Sequence, residues 1–364
     1  MLRSLTASAR TALAPAALIS AIALVTACSS SKSAGIAAEL GLHQGLSAKT
    51  VLTGLNNPCG LTFREDGALT VCAAGPGAGP GNGRVIVVEA GKPTDYITGF
   101  ATEYWKVGAD GAPDRFKLGP LSALWLDDGR LAVSNGGLKD GQDNILFFES
   151  AGSASQGIPS NGLRKTSTDE ADNGEGNLVG ISAAPGGDRL YVCGQGADAK
   201  SWLLSCHSGN LRLSTFASAD ENGISVNSPM VSLPWDGGTV LVLYSGAGGQ
   251  EDGLVVQWDA RTRKPLAQWT LPGVFDPMGM ARIPGTDELA VVDNNWSLTE
   301  VREGGLFRVA LTEGGGEAGV TALGTKLKGP TSCAFGPDGR LYVALLGPMF
   351  DSSLGSVISV GGIR

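Results

Sequence analysis

Residues 329–347 read GPTSCAFGPDGRLYVALLG: an apolar run, a Pro337-Asp338-Gly339 turn, and a second apolar run. Asp-Gly between two apolar runs is a hairpin signal, because Gly accepts the positive φ that a tight turn demands. The same arrangement recurs upstream. Pro58-Cys59-Gly60-Leu61 leads to Asp66-Gly67 and then Leu69-Thr70-Val71; Pro120-Leu121-Ser122 leads to Asp128-Gly129 and then Leu131-Ala132-Val133. Leu178-Val179-Gly180-Ile181 leads to Gly187-Asp188, Pro229-Met230-Val231 to Asp236-Gly237, and Pro277-Met278-Gly279 to Thr286-Asp287. The turn aspartates fall at 66, 128, 188, 236, 287 and 338, spaced by 62, 60, 48, 51 and 51 residues.

Each copy continues into a third apolar run: residues 84–89, 144–148, 202–206, 254–258, 306–310 and 356–360. A fourth, weaker run follows several of them, as in Tyr96-Ile97-Thr98 and residues 267–271. Four short strands per repeat of about fifty residues describe a β-propeller blade. The spacing therefore predicts an all-β, six-bladed β-propeller over residues 48–364. The sixth copy runs out of chain before its fourth strand. The unpartnered run Thr50-Val51-Leu52-Thr53 is expected to supply that strand and close the ring, leaving no open sheet edge.

Composition agrees with this architecture. The chain has 55 glycines in 364 residues and only 6% aromatics, as many tight turns and few large anchors require. At its start, Arg3 and Arg10 precede an apolar stretch to Val25, and then Thr26-Ala27-Cys28. A basic region, a short apolar region and small residues before a cleavage point form an export signal. The Cys after the small residues resembles a bacterial lipobox, which implies cleavage after residue 27 and a lipid on Cys28. Residues 28–47, opening with a Ser-rich run, are read as a flexible tether. The expected location is the cell envelope, membrane-anchored through Cys28 on the periplasmic or cell-surface side.

Loss of the leader takes the chain from 27 basic and 35 acidic residues to 25 and 35, a formal charge of −10. Such a balance excludes phosphate-backbone recognition, so no nucleic-acid partner is expected. Export makes disulfides permissible. If Phe63 faces Ala68, Cys59 faces Cys72 across a hairpin, and Cys193 and Cys206 have the same separation. These are candidate disulfides; the alternative is buried free thiols. Cys333 has no partner in this scheme.

The copies resemble the repeats of six-bladed propellers of the NHL and SMP-30/gluconolactonase-like type, most closely at Gly329-Pro330 and at residues 336–344. The resemblance covers roughly residues 50–364 and speaks for fold more than for activity. It implies a divalent metal in the central channel, held by Glu, Asn and Asp near the start of innermost strands. The matching positions here are Cys59, Leu121, Val179, Met230, Met278 and Thr331, none a carboxylate or amide. A hard cation needs several oxygen ligands, so the lactonase site does not carry over. Just upstream, Asn57, Asn177, Asn227 and Asp276 are a candidate rim of ligand or metal-binding residues; turn chemistry explains the same residue types.

No cofactor is expected from the motifs. Ca²⁺ is the exception to weigh, through the acidic loops at 140–144 and 169–175, which equally suit solvated turns. The chain has two histidines, His43 and His207, too few for quinone-dependent sugar oxidation or histidine-based catalysis. Tyr104-Trp105-Lys106 and Asn294-Asn295-Trp296 place aromatics in long connections, where they either bind or cap a core. The expected function is a non-enzymatic binding or scaffold module with a protein or carbohydrate partner. The alternative is a metal-dependent lactonase with diverged ligands.

Overall fold

The structure, a computed structural model, describes residue 33 and residues 35–77, 79–104, 117–138, 142–160, 177–195, 201–297 and 300–364. Six antiparallel sheets follow one another along the chain, as the repeat predicts. Their inner strands are Pro58–Phe63, Pro120–Trp125, Leu178–Ala183, Pro229–Trp235, Pro277–Arg282 and Pro330–Phe335. Each inner strand packs beside the next, and the sixth beside the first, so the blades form a closed six-bladed propeller. Blade 6 takes its outer strand from Ser47–Leu55, which pairs antiparallel with Gly355–Gly361. That strand starts earlier and ends later than the expected 50–53.

The lower end of the propeller carries the Asp-Gly turns. Asp66, Asp128 and Asp338 each accept from the backbone N–H two residues on, at 3.1, 3.1 and 3.2 Å. Gly67, Gly129 and Gly339 follow with φ of 86°, 84° and 71°, a region closed to most side chains. The repeated aspartates are thus turn residues. Arg340 then locks the ring closure, donating to the Ser359 and Ser47 carbonyls at 2.9 and 3.4 Å.

The core lies between the sheets. Each blade-to-blade interface has its own cluster of buried apolar residues, such as Leu241, Val255, Leu289 and Val291 between blades 4 and 5. Strand alternation turns one residue in two toward each neighbouring sheet, which is why second strands such as Thr239–Tyr244 are buried throughout and mostly apolar.

Residues 35–47, expected as part of a tether over 28–47, pack against the propeller. Residues 35–39 are helical, and Leu40 is buried with Ile36, Ala37 and Leu42 against Leu327 and Leu323. His43 N–H donates to Leu323 O at 2.9 Å, and Lys326 N–H to Leu40 O at 3.2 Å. This segment covers the outer edge of blade 5, and apolar Ile36, Leu40 and Leu42 hold it there.

Candidate functional site

Every inner strand carries a β-bulge at its upper, starting end. The ladder slips after Pro58, Pro120, Leu178, Pro229, Pro277 and Pro330. The residues set into the slip are Cys59, Leu121, Val179 with Gly180, Met230, Met278 and Thr331. A bulge leaves its extra residue unpaired and re-aims it. Here all six bulges line one axial cavity of about 210 Å³. The six positions that the family resemblance matched to metal-ligand slots are therefore channel-facing. Glycine permits the tight ring: a Cβ on Gly60 or Gly180 would lie 2.5 or 2.3 Å from the next blade's backbone oxygen.

The channel wall is apolar and sulfur-rich. Its hydroxyls are engaged across blade interfaces. Thr331 donates to Pro58 O at 2.7 Å, Ser182 and Ser232 share a bond of 2.8 Å, and Ser332 accepts from Leu61 N–H at 3.2 Å. Among the described residues no carboxylate lines the cavity. Among the described residues no group of three His, Cys, Asp or Glu side chains is placed to hold a metal. The oxygen-rich cation site implied by the sequence resemblance does not fit these donors.

The proposed rim does not converge on the channel. Asn57, Asn177 and Asp276 are buried at the upper end, Asn227 is half-buried, and none lines the main cavity. Their backbone carbonyls do a common job. Asn57 O, Asn177 O and Asp276 O accept from Ala74, Gln195 and Asn294 N–H at 3.0, 3.0 and 2.9 Å. Gly119, Ser228 and Gly329 do the same in the other blades, so Asn227 is one residue out of phase. Asn57 adds a left-handed φ of 49° and a 2.7 Å bond from its Nδ2 to Asn56 Oδ1; its own Oδ1 is buried without a hydrogen-bond partner among the described residues.

Asp276 is the most unusual of the four. Its carboxylate accepts from Gly249 N–H at 3.0 Å and Trp296 N–H at 2.7 Å, joining the upper loops of blades 4 and 5. Asp293, also buried, accepts from Phe275, Asp276 and Asn295 N–H. Burial pushes the Asp276 carboxyl up to about 6, against those N–H groups and with help from Asp293 and Asp252. Asp276 and Trp296 line a small cleft of about 30 Å³ beside the channel. Trp296 packs against the core there, which answers the capping alternative for that motif. Trp105, Lys106 and the acidic loop at 169–175 lie outside the described residues, as does Cys28. In the other acidic loop, Asp143 is buried and accepts from Leu138 N–H at 3.1 Å.

A second buried charge cluster has no counterpart in the sequence reading. Lys117 is fully buried where blades 6, 1 and 2 meet. Its Nζ donates to Gly75 O, to Gly77 O at 3.4 Å and to Asp351 Oδ1 at 2.5 Å. Asp351 also accepts from Tyr104 OH at 2.9 Å and Gly77 N–H at 3.1 Å. Burial pulls the Lys117 ammonium below the usual lysine range, partly offset by Asp351. Burial opposes ionisation of Asp351 as well, yet Lys117, Gly77 and Tyr104 hold its carboxyl below the ordinary value. The glycine-rich loop from Gly75 supplies carbonyls to this lysine. A lysine just before Leu118-Gly119-Pro120 is the only local signal, and its partner lies 234 residues away.

The candidate disulfides are corrected by register. Phe63 pairs with Leu69, not Ala68, so Cys72 sits opposite Gly60 while Cys59 bulges into the channel. Cys193 faces Leu203, and Cys206 faces Leu190. Among the described residues Cys59, Cys72, Cys193, Cys206 and Cys333 are free, buried thiols. Burial pushes the Cys59, Cys193 and Cys333 thiols up to about 12. His207 is exposed at the end of a third strand, away from the channel.

No protein-family profile matches the chain, and no curated protein sequence matches it. Solved structures do match in shape. A gluconolactonase of Xanthomonas campestris superposes with a TM-score of 0.55 at 12% identity, covering 89% of this chain and 93% of that one. The soluble aldose sugar dehydrogenase of Escherichia coli, in its apo form, gives 0.53 at 14% identity over 88% and 100%. At such identities the likeness is one of fold.

Proposed function

We propose that this chain is an exported, lipid-anchored binding propeller whose ligand site is the axial channel. The observation carrying the reading is the channel wall: six bulged residues converge on one cavity and bring no carboxylate or amide oxygen to it. A pocket with apolar walls and few polar groups is built to hold a ligand. A cation able to polarise a lactone carbonyl would have no carboxylate ligand from the lining described here. The lipid on Cys28 rests on the leader sequence. Ser33 Oγ donates to Ala48 O at 2.9 Å, at the lower end of blade 6. Five residues span at most about 18 Å, so an anchor at Cys28 would hold the lower end near the membrane and leave the upper mouth facing away.

Lactone hydrolysis is the second reading, favoured by the gluconolactonase among the similar folds. One experiment separates the two. The purified mature protein is assayed on sugar lactones with Ca²⁺, Zn²⁺ or Mn²⁺, before and after a chelator. The binding reading expects only the spontaneous rate, and no change in melting temperature on chelation. Turnover that a chelator abolishes would establish the lactonase instead. Anchoring is read separately, by incorporation of labelled lipid that Cys28→Ala removes.

A further inference from the structure

Five of the eleven sulfur residues of this protein line one channel. The chain has five methionines, and Met230, Met278 and Met280 all line the axial channel. Cys59 and Cys333 line it too. These five side chains come from blades 4, 5, 6 and 1, which are consecutive in the ring. The facing wall, from blades 2 and 3, is hydrocarbon at the same levels: Leu121, Ala123, Val179 and Ile181. The channel therefore has a sulfur side and an aliphatic side.

Three of the sulfurs stand at bulge positions, in the uppermost layer: Cys59, Met230 and Met278. Met230 and Met278 also both line the small cleft between blades 4 and 5. Gln195, itself buried, turns its Nε2–H toward Met230 Sδ at 3.3 Å. A buried amide bonded to a thioether fixes that sulfur's orientation, as groups behind a metal ligand do. Met278 is the more open of the two to the cavity. Methionine's three rotatable bonds let both adapt to an ion.

We propose that the channel binds one soft monovalent cation, Cu(I), through the Met230 and Met278 thioethers and the Cys59 sulfur. The assignment deepens the binding reading above and rests on it. Thioether and thiolate ligands select soft ions, whereas oxygen ligands select Ca²⁺ or Mg²⁺. Charge makes the same choice. A single thiolate with two neutral thioethers neutralises a monocation, while a dication would leave net charge in an apolar cavity. Cys59 is a neutral thiol in the free protein, so binding replaces the S–H bond with an S–Cu bond and releases one proton to solvent. No electron is transferred in this step.

The test uses the mature protein, titrated anaerobically with Cu(I) held by a coloured chelator. The expected result is withdrawal of one equivalent of Cu(I). Met230→Leu with Met278→Leu keeps volume and apolarity, and should weaken binding roughly tenfold or more per lost thioether. The melting temperature of that variant reports whether it is folded. Calorimetry in buffers of different ionisation heat should show about one proton released per ion, lost in Cys59→Ser. No withdrawal of Cu(I), or withdrawal that the folded double variant leaves unchanged, overturns the site. Proton release that persists in Cys59→Ser overturns the role of Cys59. The lactone and chelator assays are read independently, so failure of the Cu(I) assignment and failure of the binding reading are distinguishable.

Discussion

Two junctions at the upper end of the propeller bury charge, and they do it in opposite ways. Where blades 6, 1 and 2 meet, Lys117 and Asp351 are a cation and an anion in direct contact. Where blades 4 and 5 meet, Asp276 and Asp293 are two buried carboxylates whose partners are backbone N–H groups. Both devices tie loops together. The first compensates charge with charge, and the second compensates it with dipoles alone. The difference appears in their titration: Asp351 is held below its ordinary value, and Asp276 is raised to about 6.

The largest effect should come from breaking the compensated junction. Lys117→Met removes the ammonium, takes a donor from the Gly75 and Gly77 carbonyls, and strands Asp351. Breaking a buried pair by removing one partner costs about 3–5 kcal/mol; Asp351 keeps 25% of its side chain in solvent, which favours the lower figure. Denaturant unfolding of the variant measures it. A loss under about 1 kcal/mol would mean that the lysine is not buried as described.

The uncompensated junction should reveal itself through pH. Asp276 has a folded value near 6, above the 3.8 of the free side chain, so the folded state takes up the proton more readily. Its contribution to stability is fully present below about 4 and is lost as pH rises through about 6, a change of about 3 kcal/mol. Asp351 has the opposite sign: its contribution is present above 3.8 and is lost as pH falls below it. Asp276→Asn mimics the protonated group and should flatten the slope between pH 4 and 6, leaving the fall at lower pH. Melting temperatures across that range check both signs. An unchanged slope in the variant would move the titration to Asp293, whose carboxyl burial also raises.

What the sequence makes legible follows the range of the interactions. The Asp-Gly turn bonds residue i to i+2 in three of the copies, so each of these carries its own record, and the repeated spacing adds the rest. The start of each inner strand marks the channel-facing layer, because every blade carries a bulge there. The channel's sulfurs were therefore in view as Cys59, Met230 and Met278, but a search for oxygen ligands passes over them. Disulfide geometry was not legible, since one residue of register at Phe63 separates Cys59 from Cys72. Nor were the buried charges. Lys117 and Asp351 belong to different blades, and neither repeats, so no period marks them.

Tyr104→Phe is the smallest change that still tests the comparison. It deletes one hydroxyl bonded to Asp351 and leaves the Lys117 contact intact. A hydrogen bond to a charged acceptor is worth about 1.5–3 kcal/mol when buried, and Asp351 is partly solvated, so about 1 kcal/mol is expected. The pH profile carries more information than the magnitude. Tyr104 is one of the groups holding the Asp351 carboxyl below its ordinary value. Its loss should raise that value and bring the acid-side fall in stability to higher pH, with no effect on the slope from Asp276. If the two pH regions move together, the junctions are coupled through the ring and act as one device. If only the acid side moves, each pair of blades carries its own electrostatic solution, as the separate hydrogen-bond sets imply.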